Sequence, residues 1–429
     1  MPAPSPGLEI RPFRALTYQQ RDPEHLARVS SPAYDLVTPS GRERLADADP
    51  HNIVRLILPL VDRPGAEPGG APPAARSADL AAQTLAGWVQ DGTLQRDEMP
   101  ALWLYELRPP HGAPATVGWL GAVALPPEGS TAVLPHEDTY PVAVEGRRAL
   151  LAATVTDLEP IVLAHDPDLD VAELTERARQ GAPTLELHDT DGVGHRLWRV
   201  VDAEFLGRVI KALGRTEAVI ADGHHRFAAA RAHSRAHPAA TGSDAILALV
   251  TPMGLGGLRV DPIHRVVPDL GLDAAVTAAA EGFRVTEVPL ASEGVTSAVR
   301  RWLDDGGTGF LVTDGTRLVR LDDPSSAVLA AVPPEAPAAW RGLDVVLAHH
   351  GLLGLLWHRR DDPESVLIAH SVDEAVTTAA ERGGVALLLR APSPGDVAAV
   401  ARAGARMPRK STLFVPKPRT GLVLRPLAD

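Results

Sequence analysis

Cysteine is absent from all 429 positions of this sequence. Its absence excludes disulfides, thiolate zinc sites, iron–sulfur clusters and cysteine nucleophiles, and it fits a reducing compartment. Long apolar runs are missing too. No uninterrupted stretch approaches membrane-spanning length, and Met1 to Gly7 is proline-rich without the blocks of a secretory leader, so the expectation is a soluble cytoplasmic protein with no membrane partner. Positive charge is in deficit. A formal net charge of -12 opposes a general nucleic-acid binder, because phosphate-backbone affinity needs clustered Lys and Arg. Only the stretch Ala401 to Asp429 runs the other way, with seven Lys or Arg against the single acid Asp429. Neither a Walker P-loop nor a dinucleotide fingerprint occurs. Met253 to Gly257 is Gly-rich but too irregular to count, so any phosphate has to be held by other means.

What is present is ample apolar content on a chain too long for one ordinary core, which predicts two or three domains. The pattern of elements is α/β. A mixed-sheet core is expected over 111–270, with an N-terminal α/β segment over 1–110, an α/β scaffold segment over 271–338 and a C-terminal α/β segment over 339–429. Proline-rich Val332 to Ala338 is a candidate boundary, and residues 63–75, rich in Pro and Gly, read as a loop. Hairpins are predicted for Ala101–Leu107 with Val117–Leu125, for the strands flanking Asp189-Thr-Asp-Gly, and around Thr313-Asp-Gly-Thr316. His51 to Pro59 reads as a strand carrying Arg55, whose charge needs a partner if the strand is buried.

The chemistry concentrates in Glu217-Ala-Val-Ile-Ala-Asp-Gly-His-His-Arg226. Ala218 to Ala221 suits a buried strand and the Ala-rich run after Phe227 suits a helix. Where they meet, Asp222, His224, His225 and Arg226 place a carboxylate, two imidazoles and a guanidinium around Gly223, which lets the backbone turn sharply beside a ligand. Helix N-termini offer N–H groups and a positive dipole end, which suits an anion such as phosphate. The plainer alternative is a turn in which Asp222 caps the helix and the histidines face solvent. Elsewhere, Leu134-Pro-His-Glu-Asp-Thr-Tyr-Pro141 is a polar loop fit for acid/base chemistry through His136 and Glu137, or else merely solvated. The pair His264-Arg265 repeats the His-Arg dipeptide and suggests two cationic donors on one anion, against an exposed His264. Lys410-Ser411-Thr412 and Lys417 offer ammonium and hydroxyl groups in a docked basic segment or a solvated tail. His349, His350 and His358 lack zincin spacing and read as packing or surface residues.

Arg11-Pro-Phe13, Pro32-Ala-Tyr-Asp35, Asn52-Ile-Val-Arg-Leu56, Leu134-Pro-His-Glu137, Ala221-Asp-Gly-His-His-Arg226, His264-Arg265 and Met407-Pro-Arg-Lys-Ser-Thr412 with Pro416-Lys-Pro418 together resemble the DUF1015 family, in order, over nearly the whole chain. Ala33 stands where the family usually has a second proline, Phe227 where it usually has tyrosine, and Tyr140 to Arg147 diverges. The Asp-Gly-His-His-Arg corner also looks like the ligand-binding corner of the ParB/sulfiredoxin-like fold. In that fold a Gly-x-x-Arg-type turn opens a helix and holds nucleotide phosphates, and its members include free-serine kinases, CTP-binding partition proteins and sulfiredoxin. Sulfiredoxin chemistry is excluded by the missing cysteine.

These resemblances imply a nucleotide-dependent phosphotransferase or phosphatase acting on a small metabolite, with serine or phosphoserine first to try and ATP or ADP with Mg²⁺ as cofactors. Gly223, Arg226, His264, Arg265, Lys410, Ser411, Thr412 and Lys417 would then hold phosphate. Glu137 would be the general base, and Asp222 would position the nucleophile or hold Mg²⁺ beside His224 and His225. Tyr34, Asp35, Asn52, Arg55 and His136 would support them. The second expectation is a ParB-like nucleotide switch without turnover, and the third a metal-dependent hydrolase using Asp222, His224, His225 and His264.

Overall fold

The computed structural model describes residues 7–59, 73–110, 112, 114–254, 256–290, 294–360, 362 and 364–428. It divides into two compact units, Met1–Arg259 with Pro416–Asp429, and Val260–Val415. The class is mixed α/β, as the pattern of elements predicts. Most of the loop expected at 63–75 lies outside the described residues.

The first unit is built on a sheet whose strands in chain order are β1 (Ile10–Arg11), β2 (Leu102–Arg108), β3 (Thr116–Ala124), β4 (Val133–Leu134), β5 (Ile161–His165), β6 (Leu185–His188), β7 (Gly194–Val200), β8 (Ala218–Asp222) and β9 (Ala245–Pro252). Their spatial order is β4-β8-β5-β9-β3-β2-β7-β6, with β1 against β3. β4 with β8 and β5 with β9 run parallel, and the remaining pairs antiparallel. Apolar residues occupy both faces of the central strands, so both faces need cover. Leu102, Leu104, Trp119, Ile161, Leu163 and Ile220 pack with Leu206, Val209, Phe227 and Ala230 on one side. Trp103, Tyr105, Leu120, Leu247 and Leu249 pack with Leu26, Ile53, Leu56, Leu85 and Trp88 on the other. The β2–β3 and β6–β7 hairpins form as predicted.

Three helices of this unit matter below: α1 (Pro73–Gln90), α2 (Pro141–Thr154) and α3 (His224–Ala236). One expected strand is a helix instead. Within His51 to Pro59, residues Val54–Ile57 form a helical turn. Asn52 decides it: its Oδ1 accepts from Val54 N at 2.9 Å while its Nδ2 donates to the carbonyls of Arg28 and Ser30, a side-chain-to-backbone arrangement that outweighs β-branched propensity. Arg55 finds its partner in the Ala46 carbonyl at 2.6 Å.

The second unit carries an antiparallel six-stranded sheet of β10 (His264–Val267), β11 (Arg284–Glu287), β12 (Phe310–Thr313), β13 (Leu318–Asp322), β14 (Leu367–Ala369) and β15 (Val385–Leu388), in the order β11-β13-β12-β15-β10-β14. Strands from both sides of the proline-rich interval 332–338 share this sheet. Helices Gly294–Asp304 and Val372–Arg382 cover it through Val295, Val299, Trp302, Ala375 and Ala379, which pack on Val266, Leu311 and Leu388. The apolar helix predicted over Leu343–His358 is α-helical at Asp344–Leu347 and then a π-helix over Ala348–Leu356. Among the described residues no helix is long and apolar enough to cross a membrane.

Candidate functional site

Strand β8 ends at Asp222, Gly223 turns the chain, and α3 starts at His224. Gly223 has φ +95°, and a Cβ placed on it would lie 2.6 Å from Ile161 Cγ2, so both conformation and space require glycine here. The first helical bond runs from Phe227 N to the Gly223 carbonyl at 2.9 Å, and the N-cap itself, Gly223, has no side chain to cap the helix with. Asp222 therefore does not serve as the cap. Its Oδ2 accepts from Arg226 Nη2 at 2.5 Å, one helical turn on, and its Oδ1 pairs with Lys417 Nζ at 2.7 Å.

Lys417 also reaches Asp35 Oδ2 at 2.5 Å, so its ammonium lies between two carboxylates. The segment that carries it is fixed to the first unit by a reciprocal backbone pair between Ser31 and Thr420, by Leu16 with Leu424, and by Arg425 on buried Asp157 at 2.7 Å. Arg226 donates from Nη1 to the Pro160 carbonyl at 2.6 Å, and its guanidinium stands 5.6 Å from the Tyr34 ring centroid. Arg147, from α2, lies over the same ring at 4.3 Å and 4.0 Å from Glu159 Oε2. Glu159 in turn accepts from Tyr34 N and from Thr420 Oγ1, both at 3.1 Å.

The electrostatics follow from this pairing. Burial pushes the Asp222 carboxyl up, but Arg226 and Lys417 outweigh it and hold the group below its ordinary value. Burial alone would lower Arg226 and Lys417; Glu159 and Asp222 raise the first, and Asp222 and Asp35 the second. Tyr34 is raised by burial against the two nearby arginines. A cavity of about 40 Å³ adjoins the cluster, lined by Arg147, Asp157, Glu159 and Arg226 among others. It has room for about three waters, not for a nucleotide. Arg226 Nε is buried there without a hydrogen-bond partner among the described residues.

The polar loop after β4 closes on the turn. His136 N donates to His224 Nε2 at 3.2 Å, with the two rings edge to face at 4.6 Å. Tyr140 N donates to His225 Nε2 at 3.2 Å, and those rings stack at 5.8 Å between centroids. Each imidazole thus accepts at Nε2, which leaves Nδ1 to carry the ring proton. Glu137 sits on this loop beside His136. Two motifs separated by some eighty residues are in this way held together, along with Tyr34, Asp35 and Lys417 from the two ends of the unit.

A family model described as "Protein of unknown function (DUF1015)" matches residues 10–346. The chain belongs to the DUF1015 family. Among solved structures, this DUF1015 chain is similar to a conserved hypothetical protein from Pyrococcus furiosus at 14% identity, covering 66% of this chain and 87% of that one with a TM-score of 0.33. A mutant free serine kinase in complex with ADP matches at 14% identity, with 72% and 92% covered and a TM-score of 0.35. SbnI with a C-terminal truncation, from Staphylococcus aureus, matches at 13% identity, with 69% and 82% covered and a TM-score of 0.34. None of the curated proteins compared with the chain matches it.

The remaining candidate residues of this DUF1015 protein have local structural partners. Asn52 and Arg55 hold the N-terminal helices to their own carbonyls. In the second unit Arg265 is fully buried, donating to the carbonyls of Arg409 and Lys410 at 3.0 and 2.9 Å and to His349 Nε2 at 3.1 Å. His264 is buried with Nδ1 accepting from Leu389 N, and burial followed by the Arg265 charge lowers it to about 4. Ser411 Oγ donates to the Pro408 carbonyl at 2.6 Å, and Lys410, at φ 51°, is exposed. Thr412 is half-buried next to it. For Mg²⁺ the donor set does not fit: both Asp222 oxygens are taken by cations, and among the described residues no three His, Asp or Glu are grouped to hold a metal ion. Glu159, Arg147 and Arg425 complete the cluster and were not singled out from sequence. An acid inside the apolar run Asp157 to Ala164 was the available signal for Glu159.

Proposed function

We propose that the Asp222–Arg226 turn handles phosphate and that this DUF1015 protein is a nucleotide-dependent phosphotransferase or phosphatase acting on a small cytoplasmic metabolite, with free serine or phosphoserine the first substrate to test and ATP or ADP the nucleotide. One observation carries the reading: a glycine turn with φ +95° opens an α-helix at His224, and a loop bearing Glu137 is hydrogen-bonded against it. A helix N-terminus that follows a glycine turn is suited to an anion. In this reading the first-turn N–H groups take the phosphoryl oxygens and His224 and His225 are oriented toward them from below. Arg226 neutralises charge developing on the transferring group, and Glu137 receives the proton of the attacking hydroxyl. Asp222 positions Arg226 and Lys417. The likeness of the corner to the ParB/sulfiredoxin-like turn agrees with this assignment.

A second reading, a nucleotide switch without turnover, is favoured by the internal neutralisation of Arg226 and Lys417 by Asp222 and Asp35. Phosphorus NMR separates the two. The protein is given ATP or ADP with serine, then phosphoserine with and without nucleotide, beside Glu137→Gln. Phosphate moving between nucleotide and serine, or released from phosphoserine, and stopping in the variant supports catalysis. Nucleotide resonances that broaden without turnover support the switch, and sharp unchanged spectra with every nucleotide refute both.

A further inference from the structure

At the end of the interior strand β15, outside the Asp222–Arg226 cluster, lie several buried donors without acceptors among the described residues. Arg390 follows β15, and its guanidinium lies 3.5 Å from the centroid of the Trp302 ring on helix Gly294–Asp304. Its Nη2 donates to the Trp302 carbonyl, in the last turn of that helix. Arg390 Nε and Nη1 are buried and have no hydrogen-bond partner among the described residues, and neither has Trp302 Nε1, although Trp302 is only 9% exposed. Leaving such donors unsatisfied is costly, so a buried group in this state calls for an explanation.

A second cation lies close to Arg390. A Cβ built on Gly307 would lie 3.5 Å from Arg390 Nη2 and 3.9 Å from Arg320 Nη2, so both guanidinium groups come within 4 Å of one point above the turn Asp305-Gly-Gly-Thr-Gly309. Arg320 is matched by Asp322 at 2.9 Å. Among the described residues no carboxylate is in ion-pair range of Arg390; Asp344, Asp305 and Asp322 act on it at longer distance. Burial lowers the Arg390 guanidinium, Asp344 raises it and Arg320 lowers it further. Two cations facing one glycine turn, one of them with carboxylates only at longer range, repel each other and favour an anion that joins them.

We propose that Arg390, Arg320 and the Trp302 indole N–H form an anion site in the second unit that takes a phosphate-class oxyanion. Arg390 stacks above the indole ring, so its N–H groups and the indole N–H lie at different levels. A tetrahedral oxyanion can meet both levels and a planar carboxylate is poorly matched to them. The site is independent of the Asp222–Arg226 turn and of the function proposed for it.

The test uses the full chain labelled with 5-fluorotryptophan, with the Trp302 fluorine resonance assigned from Trp302→Phe. Inorganic phosphate is titrated against sodium acetate at matched ionic strength. The expected result is a saturable shift of the Trp302 resonance with phosphate, little with acetate, and binding weakened roughly ten- to a hundred-fold in Arg390→Gln, the loss expected for charge-assisted hydrogen bonds. Arg390→Lys, which keeps the charge but not the fork, is expected to fall between, and stands in should the glutamine variant fail to fold. An unmoved Trp302 resonance, an equal response to acetate, or undiminished phosphate binding in both Arg390 variants would overturn the proposal.

Discussion

Replacing Lys417 by methionine keeps the aliphatic stem and removes the ammonium that sits between Asp222 and Asp35. The Lys417 and Asp222 side chains are 10% and 12% exposed, so water cannot easily take the place of the lost charge. Breaking a buried ion pair from one side costs about 3–5 kcal/mol. Here Arg226 stays on Asp222, and Asp35, whose side chain is 35% exposed, can turn to solvent, so the loss should be about 2–3 kcal/mol. Asp222→Asn alone leaves Lys417 and Arg226 short of a carboxylate and is also expected to destabilise. The double variant removes the mismatched pair together, so its loss should fall below the sum of the singles by at least about 1.5 kcal/mol. Urea unfolding of the four proteins at pH 7, followed by tryptophan fluorescence and by calorimetry, gives the cycle. The sign of the pH dependence is a second check. A carboxyl held below its ordinary value adds stability above the unfolded value near 3.8 and loses it as pH falls through the folded value, so wild type should shed more stability than Asp222→Asn below about pH 4. Additivity of the singles to within about 0.5 kcal/mol would mean that Lys417 and Asp222 do not form one unit, and would refute the reasoning.

Gly223→Ala forces alanine into a left-handed conformation and a Cβ against Ile161, a loss of about 2–4 kcal/mol in denaturant unfolding; a loss under about 1 kcal/mol would show that the turn relaxes. His264, held near 4 against an ordinary 6.5, stays uncharged in the folded chain while the unfolded chain takes up a proton. Stability is therefore full above pH 6.5 and falls toward pH 4, by at most about 3 kcal/mol, and His264→Gln should flatten that slope in unfolding curves from pH 7.5 to 4.5. Arg226→Lys keeps a cation but gives up the fork that joins Pro160 and Asp222. Nucleotide affinity measured by calorimetry should fall roughly tenfold, and an unchanged affinity would place the nucleotide away from this arginine.

Much of the fold is legible because its signals are local. The two-faced apolar strands around Leu102–Arg108, the Asp-Gly hairpins and the strand-turn-helix at Gly223 each carry their own period or turn chemistry. Val54–Ile57 was misread because its apolar, β-branched residues say strand, whereas Asn52 ties the preceding backbone to Arg28 and Ser30, more than twenty residues earlier, and so sets a helical turn. Residue types brought Asp222, His224 and Arg226 forward, but the pairing of Lys417 with Asp222 spans the whole second unit, and no window of sequence contains it. Glu159 and Arg147 are ordinary surface types in sequence and acquire meaning only from burial beside Tyr34.

The chain enters the first unit, leaves it at Arg259 and returns at Pro416. Ribosomal synthesis runs in one direction, so every residue of the inserted unit is made before Lys417, Thr420 and Arg425 emerge to meet Asp222, Ser31 and Asp157. Until then Asp222 has Arg226 alone, Asp35 lacks its ammonium, and buried Asp157 lacks Arg425. A chain arrested within the second unit therefore holds the Asp-Gly-His-His-Arg turn with Arg226 as the one cation of the pair that Asp222 meets in the full chain.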